Sequence, residues 1–339
     1  MALLIVVFVV ALCSIIVVNL SQSAFREARI SNASVKRIQA EYLLKSAINF
    51  ARVLISKDAS QDIDSSKDLW ATFTKGQAIP VPEILGINEP GLNIEIEIQA
   101  EDQRFPIRAL LTGAGGASAR VDMKWRNACV KLFKELGFDE DTQEADHTKL
   151  FPGRHFNSEE LVTLLIDYMD FDSDSYSAED GDFIDGFEGD LPEGTFVNTP
   201  IKRIGELATI PGFTPARLRK LYPFITVFES GKININLAPP QIIKSLSEDI
   251  DDDALAEILN IRASEEPFSP QSIGPSLRNI IGEDNYNDIA NMLKTNSGWF
   301  QILAKVQYGP TTYFMRAFVS KKQSADSGEL PAIKSVELF

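Results

Sequence analysis

The sequence predicts an α+β protein: a long N-terminal helix, a small antiparallel sheet, and a large helical domain inserted into that sheet. Three observations predict it. Residues 1–56 contain neither proline nor glycine. Alternation with period two, the mark of a half-buried strand, occurs near 92–111 and again over 299–339. The stretch between them reads as helices and, at about 180 residues, is a domain in its own right.

The N-terminal helix comes first. "MALLIVVFVVALCSIIVVNL", residues 1–20, carries no charge, and about 20 apolar residues in a helix span a hydrocarbon core. A secretory signal would open with basic residues and close at a cleavage site; this run starts directly in apolar residues and reads as an anchor. Beyond it, Ala40, Leu43, Leu44, Ala47, Phe50, Ala51 and Leu54 recur at steps of three and four, one apolar stripe on a helix that continues to about residue 56. The domains expected are 1–56, the helix with anchor 1–20; 57–112, the first part of a head; 113–293, the inserted helical domain; and 294–339, the last strands of the head.

In the head, "LNIEIEIQA" reads as a strand and "RFPIRALL" as its hairpin partner across a turn at Asp102-Gln103. "TGAGGASAR" lacks the lysine and hydroxyl of a phosphate loop and reads as a linker. At the far end, strands near 300–308 and 313–320 flank Gly309-Pro310, and "IKSVELF" reads as a last strand. Within the insertion, Asn157 followed by Glu160 is the signature of a capped helix start.

Composition narrows the function. The 339 residues carry a net charge of −15, a poor match for phosphate-tracking nucleic-acid binders. Two cysteines, one of them in the anchor, give no disulfide framework, and two histidines leave little for a zinc site. Two segments have the spacing of helix-hairpin-helix units. "IGELATIPGFTPARLRKLYPFI" is the first. The second, from "INLAPPQII" onward, has "SEDIDDD" at its hairpin, whose five carboxylates repel phosphate. A DNA-uptake protein is therefore an alternative opposed by charge, and compact helical packing units are the simpler reading.

The densest chemistry lies in "IDYMDFDSDSYSAEDGDFIDGFEGD", residues 166–190, with ten carboxylates and no lysine or arginine. Asp170, Asp172 and Asp174 stand at alternate positions, like the opening of an EF-hand loop, but Ser175 and Gly181 occupy the places of its glycine and closing glutamate. Glu179, Asp180 and Asp182 are placed to complete an irregular oxygen shell. From spacing alone, a solvated acidic run and a cation site are both open. A membrane-anchored periplasmic hydrolase using paired carboxylates such as Asp170 and Glu179 is a further alternative, unsupported by any nucleophile or metalloprotease motif.

Several segments, in order, carry a family resemblance: the apolar start, "IQAEYLLKSAINFARVL", "EDQRFPIRALL", "IDYMDFDSD…AEDGDF", "FVNTPIKRIGELATIPGFT" and "ININLAPPQII". Together the chain resembles the K-type minor pseudopilins of the bacterial type II secretion system. Pro106 and Arg108 stand where that family usually has asparagines. The resemblance implies a pseudopilin fold with an inserted helical domain and a non-enzymatic role, capping the tip of a periplasmic pseudopilus and helping to initiate its assembly for export across the outer membrane. It implies I-type and J-type minor pseudopilins as direct partners, H-type and major pseudopilins as further ones, and two calcium ions on Asp170, Asp172, Asp174, Glu179, Asp180 and Asp182. It also implies that Met1 follows a prepilin-peptidase cleavage and is N-methylated. Arg26, Arg29, Lys36 and Arg37 follow the span and by themselves favour a cytoplasmic side; a removed basic leader opposes them. The expected location is thus the inner membrane, single-pass, with a periplasmic domain. Ile5 stands where other pilins carry glutamate. The stripe of Leu43, Leu44, Ala47, Phe50, Ala51 and Leu54 is expected to be shared between the head's own sheet and partner helices.

Overall fold

Helix α1 (Ala2–Ser56) runs unbroken for 55 residues, about 80 Å at 1.5 Å per residue. The structure is a computed structural model and describes residues 2–58, 60–79, 86, 91–113, 120–140, 144–171, 176, 186–192, 194–228, 231–308, 310–321 and 330–339. Up to residue 39 every position of α1 is exposed, and by length and composition it is the one described helix able to cross a membrane. Only the last turns are covered. Ala40, Leu44, Ala47, Ile48, Ala51, Leu54 and Ile55 are buried against a five-stranded sheet.

That sheet consists of β1 (Gln77–Ile79), β2 (Leu92–Ala100), β3 (Trp299–Tyr308), β4 (Thr311–Ser320) and β5 (Ala332–Leu338), in that spatial order with every neighbour antiparallel. Alternation in the sequence becomes sidedness in space. Ile98, Ile302 and Ala317 align across three strands, as do Ala100, Phe300 and Val319, and all six are buried in the core beneath α1. Alanines on the helix (Ala40, Ala47, Ala51) and the sheet (Ala304, Ala317) keep that interface thin, and each isoleucine or leucine buried in it stabilises the head by about 1.5–3 kcal/mol. On the opposite face Glu95 and Lys305 sit directly across from each other and pair at 2.9 Å. Lys36 lies 5.2 Å from the Tyr308 ring, marking the end of the sheet nearer the anchor. Lys321, just past β4, reaches Asp58 beyond the end of α1 and marks the distal end.

β2 ends and β3 begins at the distal end, where Ala100 pairs with Phe300. The insertion leaves and re-enters the sheet there, between adjacent strands. The predicted hairpin of "RFPIRALL" onto β2 does not form: residues 101–103 and 107–110 are 3-10 turns, and Phe105–Pro106 pairs in parallel with Ile225–Thr226 inside the insertion. β2 takes β3 as its long partner instead, two hundred residues further on. The carboxylates at the corner explain the turn away. Asp102, with a fully buried side chain, accepts the N–H groups of Gly298 at 2.7 Å and Trp299 at 2.9 Å and pairs with Lys294 at 2.7 Å. Glu101 is equally buried, pairs with Arg104 at 3.0 Å and accepts the Thr226 hydroxyl. Burial pushes the Glu101 carboxyl up, opposed by Arg104 and Thr226.

The insertion has its own core, separate from that of the head, running from Phe105 to Leu293. Its helices are α2 (Met123–Glu135), α3 (Ser158–Met169), α4 (Pro215–Leu221), α5 (Pro240–Ser245), α6 (Asp252–Ala263), α7 (Ile273–Ile281) and α8 (Glu283–Ile289). Side-chain caps start several of them: Asp122 for α2, Thr214 for α4, Asp251 for α6, and the predicted Asn157–Glu160 capping box for α3. Ile233–Asn234 runs parallel to Leu293–Lys294 and leads the chain back to the sheet.

Replacing Asp102 with alanine removes the acceptor shared by Lys294 and two backbone N–H groups, and should lower unfolding free energy by about 3–5 kcal/mol. Denaturant unfolding of the two proteins would measure it. A loss under about 1 kcal/mol, the level of an ordinary substitution, would show that β2 and β3 hold their ends together without this carboxylate.

Candidate functional site

The acidic stretch follows the C-terminus of α3. Asp167 sits in the last turn of that helix within the apolar run "LLIDYM", and its side chain is buried. Its Oδ1 accepts the N–H of Tyr176 at 2.8 Å; its Oδ2 accepts those of Phe187 at 2.5 Å and Glu188 at 3.1 Å. The Gly186 N–H donates to the Tyr176 carbonyl at 2.6 Å. Residues 176 and 186 are thereby held together at the neck of the acidic loop. Glycine is required at 186: a Cβ there would lie 2.4 Å from both Asp167 Oδ1 and the Tyr176 nitrogen.

The neck is anchored in the insertion's core. Phe187 packs edge-on against Phe151 at 5.7 Å and Phe156 at 5.6 Å, with the Arg154 guanidinium 4.6 Å from its ring. Tyr168 meets Phe196 at 5.8 Å. Glu188 is buried and its Oε1 accepts the Asn198 amide at 3.0 Å. Burial raises the Tyr176 phenol above its usual range, and the nearby Arg126 guanidinium opposes that rise. The stretch holds no basic residue of its own, yet the fold brings buried Arg126 of α2 close to it.

Of the six predicted ligands, Asp170 is described: it caps the C-terminus of α3, and its Oδ1 is buried. Asp172, Asp174, Glu179, Asp180 and Asp182 lie outside the described residues, as does Met1. Asp170 stands at the negative end of the helix dipole, and the last turn of α3 contains no basic residue. The available donors are oxygens, which suit a hard cation such as calcium. Sequence reasoning missed Asp167, Glu188 and Asn198. The one signal for Asp167 was a carboxylate inside an apolar run.

The first helix-hairpin-helix unit is turned to another use. Gly212, at φ 77°, donates its N–H to Asp146 at 3.2 Å, and a Cβ at 212 would meet Phe156 at 2.7 Å. Burial alone would raise Asp146, but hydrogen bonds from Thr148, Phe151 and Gly212 hold it below the usual carboxylate range. A carboxylate therefore stands where a phosphate would need to be. The stripe residues of α1 are also accounted for: Leu44, Ala47, Ala51 and Leu54 are buried in the head's own core, and Leu43 and Phe50 pack at its margin. The apolar positions α1 leaves exposed are others, among them Phe25, Ile30, Val35, Ile38 and Tyr42.

The chain thus joins a long helix, whose last turns lie on an antiparallel sheet, to a helical domain let in between two strands of that sheet. Residues 103–230 match the family described as Type II secretion system (T2SS), protein K. Those residues make up the first half of the inserted helical region, so that part of the chain is similar to the protein K family. Among solved structures it resembles a chain of the GspK-GspI-GspJ complex from the enterotoxigenic Escherichia coli type 2 secretion system, with a TM-score of 0.64 and 14% identity, over 91% of this chain and 99% of that one. No curated protein matches the chain in sequence.

Exchanging Asp167 for asparagine leaves one acceptor oxygen where two serve three N–H groups. Hydrogen bonds to a charged acceptor contribute about 1.5–3 kcal/mol, and the variant should lose about that much stability in denaturant melts. Unchanged stability would remove Asp167 from its place as the organiser of the neck.

Proposed function

We propose that this chain is a K-type minor pseudopilin that caps the tip of the type II secretion pseudopilus and helps start its assembly. The observation that carries the reading is the position of the insertion at the distal end of the sheet, opposite the anchor. In a fibre built by stacking helices about 8–10 Å apart, a whole domain at that end obstructs the place of a subunit above. Ile5 agrees with this, because a topmost subunit has no neighbour's amine to pair with a glutamate in hydrocarbon. The protein would act without catalysis.

The related complex contains GspI and GspJ, and the partners proposed here are I-type and J-type pseudopilins packing along α1. Since the core-facing stripe is occupied by the head, their helices would meet the exposed positions of α1 near Val35, Ile38 and Tyr42. H-type and major pseudopilins would follow below. Met1 would be processed by prepilin peptidase and N-methylated, with the anchor in the inner membrane and the head and insertion in the periplasm.

The acidic loop would bind calcium. The run of ten carboxylates and its neck, fixed by Asp167, support that reading. Asp170 would be one ligand, with Asp172, Asp174, Glu179, Asp180 and Asp182 as the others, for two ions. Bound to the folded state alone, calcium at a hundredfold excess over its dissociation constant stabilises by about 2.7 kcal/mol. EDTA should therefore lower the melting temperature, and Asp170→Ala should reproduce that drop and blunt the calorimetric calcium titration. A titration without heat, together with melting indifferent to EDTA, would leave the loop a solvated acidic run.

The tip position is tested by labelling the insertion in assembled pseudopili and viewing them by electron microscopy. Label should appear at one end of each fibre. Label distributed along the shaft would overturn the capping reading.

A further inference from the structure

Between α1 and the sheet, the chain makes a seam with the returning end of the insertion. The Asp64 N–H donates to the Thr295 carbonyl at 2.9 Å, and the Asn234 amide donates to the Asp64 carbonyl at 3.1 Å. Thr295 and Asn296 donate from their side chains to the carbonyls of Asp62 and Gln61. At the centre lies the Asp64 side chain, fully buried, whose Oδ2 accepts the Ser297 N–H at 2.5 Å.

Asp64 is not alone. Oxygens of Asp58, Asp64 and Asp68 lie within 4.8 Å of one another. The position a cation would take is held by Lys321, with Nζ 2.8 Å from Asp58 and 3.1 Å from Asp64. The other groups facing Asp64 are the Ser297 N–H and, at longer range, Lys294, which is already paired with Asp102. Asp68 has its own acceptor duty to the Ser65 N–H at 2.7 Å. Three carboxylates against one close ammonium leave this buried cluster with excess negative charge when all are ionised, and a low-dielectric site resists that.

We propose that the Asp58–Asp64–Lys321 cluster is a proton-operated latch on the seam between head and inserted domain, closed while the two carboxylates share a proton and loosened when both ionise. Burial, and then hydrogen bonding with Asp58, pushes the Asp64 carboxyl up to about 7; burial likewise pushes Asp68 up to about 6. In an open seam both return to the ordinary range. Between the two values the closed seam holds a proton that the open seam releases, so closure weakens as pH rises through that window and stays level above it.

The test is hydrogen exchange at the amides of Ser297 and Asp64 in the full-length chain in detergent micelles, corrected for intrinsic rates. From about pH 6 to about pH 7 opening should rise by up to about tenfold per pH unit, more steeply below about pH 6 where Asp68 also holds a proton, and then level off. Asp64→Asn should remove the dependence above about pH 6, leaving below it only the part that Asp68 gives. If that variant fails to fold, Asp58→Asn, which keeps Asp64 and its lysine, should move the levelling point to lower pH. Exchange independent of pH in the unmodified protein, or the same dependence in either variant, overturns the latch. Protection at neutral pH that follows calcium and EDTA rather than pH overturns it too, since a metal ion rather than a proton would then balance the charge.

Discussion

A domain of about 180 residues set between two neighbouring strands has to leave and return without prising those strands apart, because loop closure must be made rigid at both ends. Asp102 meets that constraint. Two residues past the end of β2, its buried carboxylate gathers the N–H groups of Gly298 and Trp299 at the start of β3 and the Lys294 ammonium. The same oxygen atoms thus fix the exit, the re-entry and the last residues of the insertion. Glu101 and Arg104 direct the chain off the sheet and into the insertion, where Thr226 receives it. Replacing these ionic contacts with flexible linkers would leave the two cores joined by chain alone.

The two cores do different work. The head's is a thin layer, one helix over alternate residues of three strands, with alanines where helix and sheet come closest. The insertion's is larger and aromatic, with Phe133 packed against both Phe138 and Phe213 and short capped helices around them. Between the cores lies a polar zone of aspartates, lysines, asparagines and serines. Apolar cores set the two shapes, and directional bonds in the polar zone set how one sits on the other.

How far this was legible in the sequence depends on how local each cause is. Helix α1 was readable because nothing in 56 residues interrupts it and its apolar positions recur at helical spacing; Ile48 and Ile55 join the buried face as the same periodicity demands. β2, β3 and β4 were readable from alternation. The partner of β2 was not, since Ile98 meets Ile302 across two hundred residues, and a nearby apolar run offered a cheaper local answer. The Asn157–Glu160 cap was readable because both bonds close within four residues. The acidic loop was recognisable as unusual by charge alone. Its organiser, Asp167, was hidden because the N–H groups that define its role arrive from residues 176, 187 and 188 only once the loop has folded back. Arg126 was hidden for the same reason.

The exposed part of α1 beyond the apolar run, from about residue 21 to residue 39, adds about 30 Å of bare helix between anchor and head. It has no glycine or proline at which to bend. Such a segment is a stiff rod. Its hydrogen bonds run along its axis, so a push or a twist at the anchored end is delivered to the sheet with little lost in flexure. The head takes up that load over the buried turns between Ala40 and Ile55, and the seam at Asp64 passes it on to the insertion. Apolar run, head and insertion are therefore in mechanical series: a displacement of the N-terminal end of α1 arrives at the distal surface at about the same size.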